Sequence, residues 1–194
     1  MVWAKNGTPN TLGSTADDID ITDLGGNKFN MILMHIIRSG NAMIQQTFNN
    51  DTGTKYTVRE STNGAGDVTT TSQTFIDTQY QQGYDDFTFM YTCWISGEEK
   101  LIIHQYVQGG AIGAGNVPSR RESVAKYVPA SLTDTCDRID CNNASGTGDY
   151  AAGSNISALG SEGVESMTVQ DGAVFHETDT NKSFVLYNNA WTEL

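Results

Sequence analysis

The chain is poor in the residues that stop a sheet or build a reaction centre. It has 3 prolines in 194 residues, against 20 glycines. A backbone that turns often while keeping its N–H donors uses Gly, Asn and Asp rather than Pro. Asn6-Gly7, Gly25-Gly26, Asn63-Gly64, Gly109-Gly110 and Asp171-Gly172 are turn pairs of that kind. Cysteine is scarce: Cys93, Cys136 and Cys141 cannot all pair with one another, and no Cys-x-x-Cys motif is present to suggest a zinc ribbon. Cys136 and Cys141 stand close enough to close a small loop, but buried free thiols acting as small apolar residues are the better expectation. Positive charge is scarce too. With 11 Lys+Arg against 23 Asp+Glu, the formal net charge is −12. Phosphate backbones and anionic lipid surfaces both require clustered cations, so neither nucleic acid nor a membrane is expected as a partner.

Long apolar runs are missing as well. The longest, Met31 to Ile37, is interrupted by His35 and is far too short to span a bilayer. The opening Met1-Val2-Trp3-Ala4-Lys5-Asn6-Gly7 has no apolar core of signal-peptide length. The expectation is a protein made in the cytoplasm that works in solution or in an assembly.

Almost nothing in the chain has helical periodicity. Val/Ile/Thr/Tyr/Phe-rich stretches recur instead, cut at short intervals by turn residues, which predicts an all-β protein. Residues 1–16 are polar and rich in Gly, Thr and Asn, and read as an extended N-terminal arm ordered by a neighbour, with Trp3 pinning it to a surface. Strands are expected from Asp18, over Lys28–Arg38, Ala42–Phe48, Tyr56–Glu60, Val68–Phe75, Phe87–Ile95 and Lys100–Val107, and then over Ser123–Val128, Cys136–Cys141 and Tyr150–Leu159. In Lys28–Arg38, Phe29, Met31 and Leu33 point one way and Ile32, Met34 and Ile36 the other. Two apolar faces predict a central strand covered on both sides. The Thr-rich Val68–Phe75 suits an edge. About ten strands joined by short turns fit a sandwich, here expected as a jelly-roll-like β-sandwich over residues 17–160. The Gly/Ala-rich Gln108–Pro118 is a long loop of the functional or assembly kind. Gly160–Gly163 reads as a hinge. Beyond it, residues 164–194 predict a small C-terminal β-meander that is marginal alone.

Several segments resemble known proteins. Val2-Trp3-Ala4-Lys5, Arg120-Arg121-Glu122-Ser123-Val124-Ala125-Lys126-Tyr127, Arg138-Ile139-Asp140 and Ser145-Gly146-Thr147-Gly148-Asp149-Tyr150-Ala151-Ala152-Gly153-Ser154 are similar to segments of small virion-associated proteins of tailed phages, notably marine ones, over roughly residues 1–160. Gly172-x-x-Phe175-x-x-Thr178-Asp179-Thr180-Asn181-Lys182-x-Phe184, ending in Ala190-Trp191-Thr192, resembles a short β-module at the C-terminus of phage tail, collar and capsid-fibre proteins. The resemblance implies a structural, jelly-roll-like virion component, made in the host cytoplasm, and carries no catalytic residue to transfer.

The residues themselves suggest no chemistry. Of the three histidines, His35, His104 and His176, the first two lie in separate strands far apart in sequence, and a metal site there would need a third ligand and the right geometry. Asp17, Asp18, Asp20 and Asp23 lack EF-hand spacing and read as a solvated strand edge. No Gly-x-Ser-x-Gly elbow occurs, and the Gly109–Gly115 run lacks the Lys-Ser/Thr ending of a phosphate loop. No catalytic residue, cofactor or metal is expected. Trp3, Arg120, Arg121 and Lys126 are the candidate partner contacts, since a basic cluster on an acidic protein suits an acidic neighbour. Ordinary pairing with Glu98, Glu99 or Glu122 is the competing account. The role expected is a non-enzymatic capsid decoration or cement protein in the virion. Its partners would be the major capsid protein or other virion proteins, and copies of itself, with a trimer as one option. The alternative is a tail-fibre or receptor-binding protein that stacks host glycans on Tyr80, Tyr84, Trp94 and Tyr106.

Overall fold

The computed structural model describes residues 3–77, 84–144, 149–162, 172–188 and 190–194. Every regular element among them is a strand, and every pairing is antiparallel. The chain divides into two compact units, Met1–Gly163 and Val164–Leu194.

The first unit contains β1 (Ala4–Thr11), β2 (Asp18–Ile21), β3 (Phe29–Ile36), β4 (Arg38–Ser39), β5 (Ile44–Phe48), β6 (Tyr56–Thr62) and β7 (Val68–Gln73). They are followed by β8 (Ile76–Asp77), β9 (Asp86–Cys93), β10 (Lys100–Gln108), β11 (Ser119–Tyr127), β12 (Ile139–Asn143), β13 (Asp149–Tyr150) and β14 (Asn155–Ser161). An eight-stranded sheet has the order β1-β14-β3-β9-β10-β11-β6-β7. A four-stranded sheet has the order β2-β12-β5-β8, and β13 pairs with β4. Both large sheets turn one apolar face into a common core: Ile19, Ile21, Ile44, Phe48, Ile76, Ile139 and Cys141 from the smaller sheet, and Ile32, Met34, Ile36, Met90, Ile102, Tyr127, Ile156 and Ala158 from the larger. This is a β-sandwich. Phe48 anchors it, in ring contact with Tyr56, Trp94 and Tyr127 at centroid separations of 5.4–6.4 Å.

The segment expected to be a free arm is instead the edge strand β1, paired with β14. Ladder hydrogen bonds need no apolar side chains, so a polar sequence can occupy an edge. One side chain locks it: buried Asn6 donates to Asn30 Oδ1 at 2.7 Å and accepts from the Gly25 N–H at 2.6 Å. Gly160, expected in a hinge, lies inside β14. A Cβ there would run into the Asn27 and Asn6 side chains. Both edges of the large sheet are irregular. The β1 register shifts between Asn6 and Asn10, where Gly7 takes a positive φ of 72°. The β7 register also shifts against β6, and Ser72 sits at φ 54°. Such bulges blunt an edge against adding another strand.

The second unit is a meander of β15 (Val174–Glu177), β16 (Lys182–Tyr187) and β17 (Ala190–Glu193). Its Phe175 ring stacks with Phe184 and meets Trp191 edge-on.

Candidate docking surface

Alternation along β9, β10 and β11 places two kinds of residue on opposite faces of the large sheet. The inner face of β9 carries Asp86, Thr88, Met90 and Thr92, all buried. The outer face carries Phe87, Phe89, Tyr91 and Cys93. β10 repeats this, with Lys100, Ile102, His104, Tyr106 and Gln108 buried, and Leu101, Ile103 and Val107 turned outward. On β11, Arg121, Ser123, Ala125 and Tyr127 face in, and Arg120, Glu122, Val124 and Lys126 face out. The polarity expected of a half-covered sheet, apolar in and polar out, is largely reversed here.

Register joins the outward residues across strands. Leu159, Met31, Tyr91, Ile103 and Val124 are successive partners on β14, β3, β9, β10 and β11, with Lys5 on β1 and Arg59 on β6 at the two ends of the row. Neighbouring rows add Phe29, Cys93 and Leu101 on one side, and Leu33 and Phe89, then Phe87 and Val107, on the other. Leu101, Ile103 and Val124 are 58, 54 and 51% exposed, which decides that this second face is not covered by the other strands of the first unit. The expectation for β3 therefore divides. It is central in the sheet and its Ile32, Met34 and Ile36 are buried, but Phe29, Met31 and Leu33 are only half-buried on an open face. A groove of about 640 Å³ lies on that face, lined by Phe29, Tyr91, Cys93, Leu101, Ile103 and Val124 among others.

Three cations on this face are paired, and Lys5 and Lys28 stand at its border. Arg120 meets Glu122 at 3.0 Å, Lys126 meets Glu99 at 2.9 Å, and Arg59 meets Asp67 at 3.8 Å. The patch is thus close to neutral on a strongly acidic protein. Lys28 places its ammonium 5.5 Å from the Phe29 ring centre.

The inner face is tightly partnered. Arg38 and Asp86, both with fully buried side chains, form an ion pair, with Arg38 Nε donating to Asp86 Oδ2 at 2.7 Å and Nη1 to the Ala42 carbonyl at 2.5 Å. Burial pushes the Asp86 carboxyl up to about 7, against the lowering pull of Arg38. Arg121 pairs with Glu60. His104 Nδ1 lies 3.0 Å from Ser123 Oγ, while its Nε2 has no partner among the described residues. Burial, then the nearby Arg121 charge, lowers His104 to about 3, so the ring is neutral.

The sequence candidates fare unequally. Trp3 is half-buried and meets Tyr91 edge-on, with ring centres 6.5 Å apart, on the outer face. Arg120 and Lys126 share that face at opposite ends of β11. Arg121 does not join them: adjacent residues of a strand point to opposite sides, and it is buried against Glu60. The proposed glycan-stacking set does not form one surface. Trp94 and Tyr106 are buried, at 6 and 1% exposure, Trp94 in the aromatic cluster around Phe48 and Tyr106 beside Arg38. Tyr84 is exposed, and Tyr80 lies outside the described residues. The residues missed were the outward Ile103, Leu101 and Val124. Their signal was the continuous apolar run Leu101-Ile102-Ile103, too apolar for a strand with one wet face.

All three cysteines are free, and burial raises the thiols of Cys136 and Cys141. Among the described residues no group of three or more His, Cys, Asp or Glu could hold a metal, and no helix is long and apolar enough to cross a membrane. In the C-terminal unit, Phe175, Glu177, Phe184 and Trp191 line a cleft of about 410 Å³. No protein-family model matches the chain, and no curated protein sequence matches it significantly.

Proposed function

We propose that the chain is a non-enzymatic virion structural protein of a tailed phage, a capsid decoration or cement protein that stabilises the shell through contacts between subunits. One observation carries this reading: the outward face of the eight-stranded sheet displays a contiguous apolar patch with paired charges at its border. A patch of that extent marks a surface used for contact. The major capsid protein, other virion proteins and further copies of the chain are the partners it suits. Each contact stabilises the assembled state by mass action. The strand order supports the jelly-roll reading of the sandwich. β1-β14-β3-β9 opposes β2-β12-β5-β8, and the chain crosses between these two sets at nearly every step, as in the double-sheet roll of many capsid domains. β10, β11, β6 and β7 widen one sheet, and the patch straddles the join, from β14, β3 and β9 onto β10 and β11.

A second reading, a tail-fibre or receptor-binding protein that recognises host glycans, is favoured by the C-terminal unit. Phe175 and Trp191 are half exposed there beside Glu177, and aromatic faces with a nearby acceptor suit a sugar. Immunogold electron microscopy and quantitative mass spectrometry of purified particles separate the two. Many copies over the shell are expected. A few copies at the tail would replace decoration with adhesion, and absence from particles would overturn both.

A further inference from the structure

We infer that the outward face of the eight-stranded sheet is an interface between two copies of this chain, apposed face to face about a two-fold axis that runs across the strands. This rests on reading that face as a protein-docking surface and names its occupant.

Electrostatics favours a second copy. Two molecules of formal charge −12 repel over most of their surfaces. The outward face escapes this, because Arg59, Arg120 and Lys126 each lie against a carboxylate and its other cations, Lys5 and Lys28, stand only at its border. A strongly charged partner would find nothing complementary at the centre of the patch, whereas a copy meets a centre as neutral as its own. Closed two-fold pairs are also the commonest way identical chains associate.

Area agrees. The face, with its charged rim on β11 and β6 included, runs over six strands, β14 to β6, and over the residues from Leu101 to Val107. At strand spacings of about 4.8 Å and about 3.4 Å per residue, it covers about 500 Å² in flat projection. Two such faces together bury about 1,000 Å², the lower bound for a specific interface, before side-chain relief is added. The bulged edges, β1 and β7, leave the face rather than the edge as the route to association.

Shape chooses the axis. The groove lies at the Cys93/Leu101 end of β9 and β10, and the exposed Phe87 and Val107 stand at the other end of the same strands. A two-fold axis crossing β9 and β10 between the levels of Ile103 and Gln105 lays Phe87 and Val107 of each copy over the groove of the other. It sets Phe87 of one copy opposite Cys93 of the other. It also brings each Lys126–Glu99 pair over an Arg120–Glu122 pair, so the rim charges can exchange partners.

Sedimentation velocity on the full chain, across a concentration series, tests the state. A dimer is expected, and Ile103→Glu or Val124→Glu should weaken it by roughly thirtyfold or more, as charging a central anchor does. Both side chains are more than half exposed in the single chain, so circular dichroism and melting should stay near wild type. Independently, Phe87→Cys should be joined to native Cys93 of the other copy by a short bis-maleimide, giving a crosslinked dimer on a denaturing gel that Cys93→Ser removes. A monomer, a trimer, a dimer indifferent to both charge variants, or a dimer without that crosslink would each overturn the inference. A monomer whose particle binding is lost in Ile103→Glu would leave the docking reading standing and remove only the second copy as occupant. Particle binding unaffected by that variant would remove the docking reading too.

Discussion

The two faces of the eight-stranded sheet are built from the same strands and solve opposite problems. Inside, β9, β10 and β11 bury Asp86, Lys100, His104 and Arg121, and such groups survive burial only when each finds a partner. Lys100 donates to the carbonyls of Ile95 and Leu132 at 2.8 and 2.6 Å, and Arg38 meets Asp86. Outside, the same strands expose Phe87, Leu101, Ile103 and Val124 to water. Burying that apolar area in an interface would release about 25 cal/mol per Å² before association costs. The difference teaches where each function lies. The inner face holds the fold in one arrangement, and the outer face carries the surplus of apolar area that an assembly can use.

The largest effect expected in testing this contrast belongs to the inner face. Arg38→Met leaves buried Asp86 without its counter-ion, to stay charged or to take up a proton, and should cost about 3–5 kcal/mol in urea unfolding at neutral pH. Adding Asp86→Leu should return most of that loss. A single-variant loss within about 0.5 kcal/mol, the ordinary range for surface changes, would mean the pair holds nothing.

A smaller effect compares neighbours on one strand. Ile102 points into the core and Ile103 outward. Ile102→Ala should destabilise by about 2–4 kcal/mol through the cavity it leaves. Ile103→Ala, measured at concentrations low enough to keep the chain monomeric, should change stability by less than about 1 kcal/mol. Equal losses would break the assignment of faces.

The smallest effect is in pH dependence. His104 has its pKa lowered to about 3 from 6.5. Below pH 6.5 the unfolded chain takes up a proton that the folded chain refuses, so this group withdraws stability as pH falls from 6.5 toward 3. Asp86 acts the other way: raised to about 7 from 3.8, it is protonated in the fold where the unfolded chain is ionised, and it adds stability as pH falls over the same span. The two largely cancel. His104→Gln should remove one side, so that the variant gains on wild type by up to about 1.4 kcal/mol per pH unit between pH 6 and 4. Parallel stability curves for the two proteins would show that His104 titrates in the fold as it does in the unfolded chain.

Much of the strand plan was legible from residues. Lys28–Arg38 became β3, the Phe87–Ile95 and Lys100–Val107 hairpin became β9 and β10, and Thr-rich Val68–Phe75 became the edge strand β7. The three short strands after residue 172 also stand where the turn residues Thr178–Asn181 and Asn188 divide them. The candidate surface was much less legible. Arg120, Lys126 and Trp3 lie on it, but Arg121, Trp94 and Tyr106 are buried, and the residues that dominate it read as ordinary core. The N-terminal segment misled for a related reason: what holds β1 is backbone pairing and the Asn6–Asn30 hydrogen bond, 24 residues apart, which no local pattern reveals.

The amino-acid order alone determined that this chain forms short antiparallel strands, where most of them turn, and that the molecule carries a large negative charge, because period-two alternation, turn chemistry and charge are local properties. Which side of each strand faces inward was decided only in three dimensions. Alternation divides residues into two sets without saying which is core. Asp86 is buried because Arg38, 48 positions away, comes to meet it, and the apolar set on the same strands is left to face outward.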